Sequence, residues 1–93
     1  MKIEETFIKD LLIVEPIIFG DERGYFFESY SKIKFEDFDI DIEFVQDNQS
    51  FSRKGTLRGL HYQNPPFAQT KLIRVLEGEI VDVVVDLRKR SAT

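Results

Sequence analysis

The chain has 93 residues, 42% of them hydrophobic and 32% charged, with 13 basic against 17 acidic side chains and no cysteine. These totals fit a single small globular domain, with marginal stability unless it pairs with another chain. The net charge of −4 argues against a general nucleic-acid binder, which needs basic stripes to displace counterions, but leaves room for one small anion held by two or three arginines.

Disulfides, thiolate nucleophiles and cysteine metal sites are excluded. No apolar run reaches membrane-spanning length. The opening "MKIEETF" carries acidic residues where a signal peptide needs an apolar core. The expectation is a soluble, cytoplasmic protein with neither nucleic acid nor membrane as partner.

In chain order, "LLIVEPIIF" (11–19) is apolar and β-branched around Pro16. Proline cannot donate to a ladder, so this is an edge strand or two short strands with a break. "GDERG" (20–24) is a turn between two glycines, and "YFFESY" (25–30) reads as a strand. "SKIKFEDF" (31–38) reads as a short helix with Ser31 as N-cap and Ile33 or Phe35, with Phe38, facing inward. From Ile40 the residues alternate, with Ile40, Ile42 and Phe44 followed on the same parity by Gln46, Asn48 and Ser50.

"RKG" (53–55) is a turn, "TLRGLHYQ" (56–63) a strand, and "NPP" (64–66) its end. "KLIRVL" (71–76), "EG" (77–78) and "EIVDVVVDL" (79–87) read as a hairpin. Short strands without a long amphipathic helix predict an all-β fold, an antiparallel sandwich or barrel. Neither repeat nor linker divides residues 1–93, which read as a single domain.

His61 is the one histidine of the chain, and histidine is the side-chain type whose charge changes near neutral pH. A lone strand histidine is more often structural, but Arg58 and Lys71 flank it in sequence. Cations beside an imidazole favour its neutral form, which a general base requires. Strand alternation sends residues 58 and 61 to opposite faces; a bulge at Gly59 would re-aim them.

Asp82 and Asp86 interrupt an apolar strand and need partners. The plain expectation is a salt bridge to Arg74 or Arg88; the sharper one has Asp82 orienting the histidine. Gln46, Asn48 and Ser50 read equally as the wet end of a strand, and "DERG" as a solvated turn with Arg23 paired to Asp21 or Glu22. One histidine makes a metal site improbable, and no nucleophile elbow or glycine-rich phosphate loop is present.

Taken together, "FGDERGYFFESY", "FVQDNQSFS", "GTLRGLHYQ" and "PPFAQTKLIRVLEGEIVDVVVDLRKRSAT" resemble the dTDP-4-dehydrorhamnose 3,5-epimerases, cupin-type jelly rolls of dTDP-L-rhamnose synthesis. The resemblance runs from about Glu15 onward and covers the N-terminal half of that family's longer chains. It implies a cupin-like jelly-roll portion and epimerisation of a dTDP-4-keto-6-deoxyhexose at carbons 3 and 5.

In the resemblance His61 takes the place of the proton-abstracting base. Lys71 and Arg58 fall beside the sugar and diphosphate, Arg23, Glu28 and the run Gln46-Asp47-Asn48 at nucleotide-sugar contacts, and Phe26 at an aromatic near the nucleotide. It further implies a homodimer with exchanged N-terminal strands, in which Arg23, Phe26 and Glu28 serve the neighbouring subunit's site, and no cofactor. The family's tyrosine acid and the aspartate paired with its histidine lie in the half that is not matched. A non-catalytic, truncated cupin that dimerises and binds a nucleotide sugar is therefore the competing expectation.

Overall fold

The computed structural model describes residues 1–63 and 69–89. Its regular structure is antiparallel β with one short helix: β1 (Lys2–Glu5), β2 (Leu12–Glu15), β3 (Ile18–Asp21), β4 (Gly24–Phe27) and α1 (Lys32–Glu36). The strands form two separate two-stranded sheets, β1–β2 and β3–β4. The break between β2 and β3 falls at Pro16, so of the two readings of residues 11–19 the chain adopts two short strands.

The β1–β2 hairpin was not foreseen in "MKIEETF". Its register sets Ile3 against Val14 and Glu5 against Leu12, which gathers the half-buried apolar residues on one face. The connection is held by Thr6, whose hydroxyl donates to the Leu11 carbonyl at 2.8 Å and accepts from the Ile8 amide at 3.2 Å. Asp10 takes a left-handed φ of 69° there, a conformation that Asp tolerates better than most residues.

The β3–β4 hairpin closes through a two-residue turn, Glu22–Arg23, between the paired Asp21 and Gly24. The Asp21 carboxylate accepts the Arg23 amide at 2.8 Å, an Asx-turn that supplies the bend from the aspartate's own side chain. Gly24 sits at φ 142°, where a side chain would be strained.

Helix α1 begins as expected. Ser31 is extended at φ −145° and its hydroxyl accepts from the Lys34 amide at 3.4 Å. Of the candidate inward residues, only Phe35 is buried, at 2% exposure, against 73% for Ile33 and 44% for Phe38. Tyr30 packs edge-to-face on Phe35 at 4.9 Å and on Phe44 at 5.3 Å between ring centroids. In this aromatic trio Phe35 is thus the buried core of the described residues, flanked by Tyr30, which also touches Phe44.

Four expected strands are not formed among the described residues. Residues 40–50, 56–63 and the 71–87 hairpin have no β-ladder. The turns between them are present: Thr56 donates to the Arg53 carbonyl at 3.1 Å with Gly55 at φ 87°, the type II pattern, and the chain bends at 76–78 with Gly78 at φ 84°. Local sequence specifies a turn, whereas a strand exists only where a neighbouring backbone takes its hydrogen bonds. The apolar residues of 79–87 instead face solvent, Val81 at 92% and Val83 at 62% exposure. The predicted break at 64–66 lies outside the described residues.

The radius of gyration is 15.6 Å, where a compact chain of this length has about 12 Å. The accessible surface of 9528 Å² likewise exceeds the roughly 5,600 Å² of a compact monomer of this mass.

Candidate functional site

The β3–β4 hairpin frames an open depression of about 430 Å³ lined by Phe19, Gly20, Asp21, Arg23, Gly24, Tyr25 and Phe26. Antiparallel register produces it, since Phe19 lies directly opposite Phe26 and their rings stand on one face. Two expected substrate residues, Arg23 and Phe26, therefore share one concave surface. Phe19 and Tyr25 were missed from sequence. The signal for Phe19 was available: a two-residue turn at 22–23 sets position 19 opposite position 26.

Arg23 is 90% exposed at its side chain and bonded to Asp21, with Nη2 to Oδ2 at 2.7 Å and Nε to Oδ2 at 3.3 Å. The solvated-turn reading of "DERG" is thus realised together with the lining of the depression. The Arg23 guanidinium, then the Arg23 and Gly24 amides, hold the Asp21 carboxyl below its ordinary value of 3.8, while slight desolvation opposes them. Reciprocally, Asp21 raises Arg23. The bond uses the Nε and Nη2 edge, so Nη1 remains directed to other acceptors.

Glu28 follows β4 and pairs with Lys34 of α1, Oε1 to Nζ at 2.9 Å. Gln46, Asp47 and Asn48 are exposed in an irregular segment, two to four residues beyond Phe44 of the aromatic trio. Tyr30, two residues past Glu28, touches Phe44, so one ring contact ties together the arms that carry Glu28 and the Gln46–Asn48 run.

Arg58, His61 and Lys71 are exposed, and among the described residues none makes a hydrogen bond or ion pair. Gly59 between Arg58 and His61 has φ 117°, so strand parity does not constrain the two side chains. A Cβ at Gly59 would meet the His61 ring Nδ1 at 4.0 Å. The 71–76 segment that begins with Lys71 is tied to β4 through Arg74, whose guanidinium stands 5.8 Å from the Phe27 ring centroid, within cation–π range.

Asp86 takes the plain reading. Its carboxylate receives Arg88 Nε at 3.0 Å and Nη2 at 2.8 Å, and its side chain is only 4% exposed. Arg88 also reaches Asp10 at 2.8 Å and the Lys9 carbonyl at 2.7 Å. Asp86, then Asp10, raise the guanidinium above its ordinary value. Asp82 is exposed and has no hydrogen-bond partner among the described residues.

Among the described residues, no three histidine, cysteine, aspartate or glutamate side chains group to hold a metal ion. No helix among them is long and apolar enough to cross a membrane.

A family model described as dTDP-4-dehydrorhamnose 3,5-epimerase matches residues 5–93. Proteins of that name are similar to the chain: one from Shigella flexneri is 55% identical over all of this chain and 52% of its own length. One from Pseudomonas aeruginosa is 51% identical over all of this chain and 51% of its own, and one from Methanothermobacter thermautotrophicus is 48% identical over 96% of this chain and 48% of its own. No solved structure matches. The chain spans about half the length of the curated relatives it matches. With a family match that takes in every residue from Glu5 to Thr93, the chain belongs to the dTDP-4-dehydrorhamnose 3,5-epimerase family.

Proposed function

We propose that the chain supplies the nucleotide-sugar-binding portion and the base of a cytoplasmic epimerase acting at carbons 3 and 5 of a dTDP-4-keto-6-deoxyhexose, in dTDP-L-rhamnose synthesis. The carrying observation is the unbroken family match over residues 5–93, a stretch that contains every residue named below.

Carbons 3 and 5 flank the ketone, so their protons are acidic. A ring nitrogen of His61 takes the proton and leaves an enolate, and a proton returned to the opposite face inverts the centre. Nothing is oxidised or reduced, so the reaction calls for no cofactor. The Lys71 ammonium stabilises the enolate oxygen, the site of developing negative charge. Arg23 and Arg58 hold the diphosphate as charge-assisted donors, Phe26 stacks on the nucleotide, and Glu28 with Gln46, Asp47 and Asn48 takes the remaining polar groups. Support for Arg23 and Phe26 acting together comes from their lining one depression.

The architecture proposed for residues 1–93 is the N-terminal portion of a cupin-type jelly roll that dimerises through its N-terminal strands. The exposed apolar positions of 79–87 support a buried setting for them in that assembly. A second reading, a truncated cupin that binds the nucleotide sugar without turnover, is favoured by His61 having no carboxylate partner among the described residues.

Deuterium uptake from solvent at carbons 3 and 5 of the keto sugar separates the two. In a full-length relative bearing the same motif, changing the His61 equivalent to Asn lowers exchange by about 10²–10⁴-fold and leaves folding intact. Undiminished exchange at both carbons rejects His61 as the base. Exchange at either carbon by the present chain itself rejects the second reading.

A further inference from the structure

Glu28 poses an electrostatic difficulty for the reading just given. A carboxylate is an acceptor only, and beside an anionic nucleotide diphosphate it repels the ligand, in a chain already at net −4. The structure offers a partner that cancels this charge. Lys34 Nζ lies 2.9 Å from Glu28 Oε1, and among the described residues Glu28 has no other ion pair or hydrogen bond, so Oε2 is open.

The backbone between the two side chains is held. Lys34 follows the Ser31 cap that accepts its own amide at 3.4 Å and precedes Phe35, the buried residue that anchors the helix at 2% exposure. Tyr30 packs on Phe35 at 4.9 Å, so the short path from Glu28 to Lys34 is pinned at its middle and at its end. An N-cap and one buried ring fix the backbone from which the Lys34 side chain reaches Glu28.

We propose that Lys34 is a positioning residue for nucleotide-sugar binding: it holds Glu28 by one oxygen, neutralises it towards the diphosphate, and leaves the other oxygen to accept from a ligand hydroxyl or ring N–H. The inference rests on the reading of Glu28 as a substrate contact. Lys34 does not itself touch the ligand. Its effect is transmitted through Glu28 and disappears when Glu28 no longer carries a charge.

Titration calorimetry with dTDP on the full chain tests this, with Lys34→Met, Lys34→Arg, Glu28→Gln and the Lys34→Met/Glu28→Gln pair. Lys34→Met weakens dTDP binding by about two- to fivefold at low salt, the range of a partly exposed ion pair, and the difference shrinks at high salt. Lys34→Arg restores affinity, and in the Glu28→Gln background Lys34→Met has no further effect. Thermal melting stays at the parent value in Lys34→Met, which separates positioning from a merely structural pair.

Equal losses in both backgrounds overturn the proposal by making Lys34 a direct ligand cation. So does parent-like affinity of Lys34→Met when Glu28→Gln and Arg23→Ala both weaken binding, and the substrate reading then survives. A Lys34→Met melting loss that Lys34→Gln repeats assigns the pair to the fold instead. If the parent chain shows no dTDP binding, the substrate reading fails and this inference with it.

Discussion

Phe35→Ala is expected to cost more stability than any other single truncation among the described residues. Phe35 is the one hydrophobic side chain buried there, at 2% exposure. Removing a fully buried side chain of this size loses about 1.5–3 kcal/mol of transfer free energy. The edge-to-face contact with Tyr30 at 4.9 Å adds about 0.5–1.5 kcal/mol, and the better helix propensity of alanine returns about 0.5 kcal/mol. The expected loss is therefore about 1.5–4 kcal/mol, against a total stability of about 5–14 kcal/mol for 93 residues. With a urea slope near 1 kcal/mol/M, the unfolding midpoint falls by about 1.5–4 M. Ile33→Ala in the same helix, at 73% exposure, stays within about 0.5 kcal/mol. If Phe35→Ala loses no more than Ile33→Ala, the aromatic trio is not what holds α1 and the Glu28 arm.

Arg58→Ala should weaken dTDP binding by about 1.5–3 kcal/mol, the size of a charge-assisted hydrogen bond; unchanged affinity in calorimetry removes Arg58 from the site. The Asp21 carboxyl, followed by carbon-13 NMR, titrates below 3.8 and moves towards 3.8 in Arg23→Ala. Since its folded value is the depressed one, its contribution to the β3–β4 turn is complete above 3.8 and is lost as pH falls through the lowered value; a midpoint indifferent to Arg23→Ala contradicts the pairing. Sedimentation at micromolar concentration should show self-association, because 9528 Å² of exposed surface leaves large apolar faces uncovered; a folded lone monomer counts against it.

The residues themselves declared several features whose cause is local. Pro16 divides 11–19 into β2 and β3 because it has no N–H to give a ladder. Ser31 starts α1 because its hydroxyl accepts the Lys34 amide, and Gly55 and Gly78 mark bends because their φ values are positive. The motif "LRGLHYQ" with "KLIRVLEGE" was enough to indicate the family that the comparison bears out.

Other features needed the folded chain, since each depends on a partner distant in sequence or on which face a residue takes. Alternation could not say whether 40–50, 56–63 and 71–87 form ladders, because a strand is completed only by its neighbour, and those segments have none among the described residues. Helical spacing left Ile33 and Phe35 both open as inward residues, and the position of Tyr30 and Phe44 chose Phe35. Asp86 and Asp82 look alike in one apolar run, yet only Asp86 meets the Arg88 guanidinium that also reaches Asp10, 78 positions away. Lys34 is an ordinary surface lysine in the sequence; the turn of chain between β4 and α1 is what brings it to Glu28.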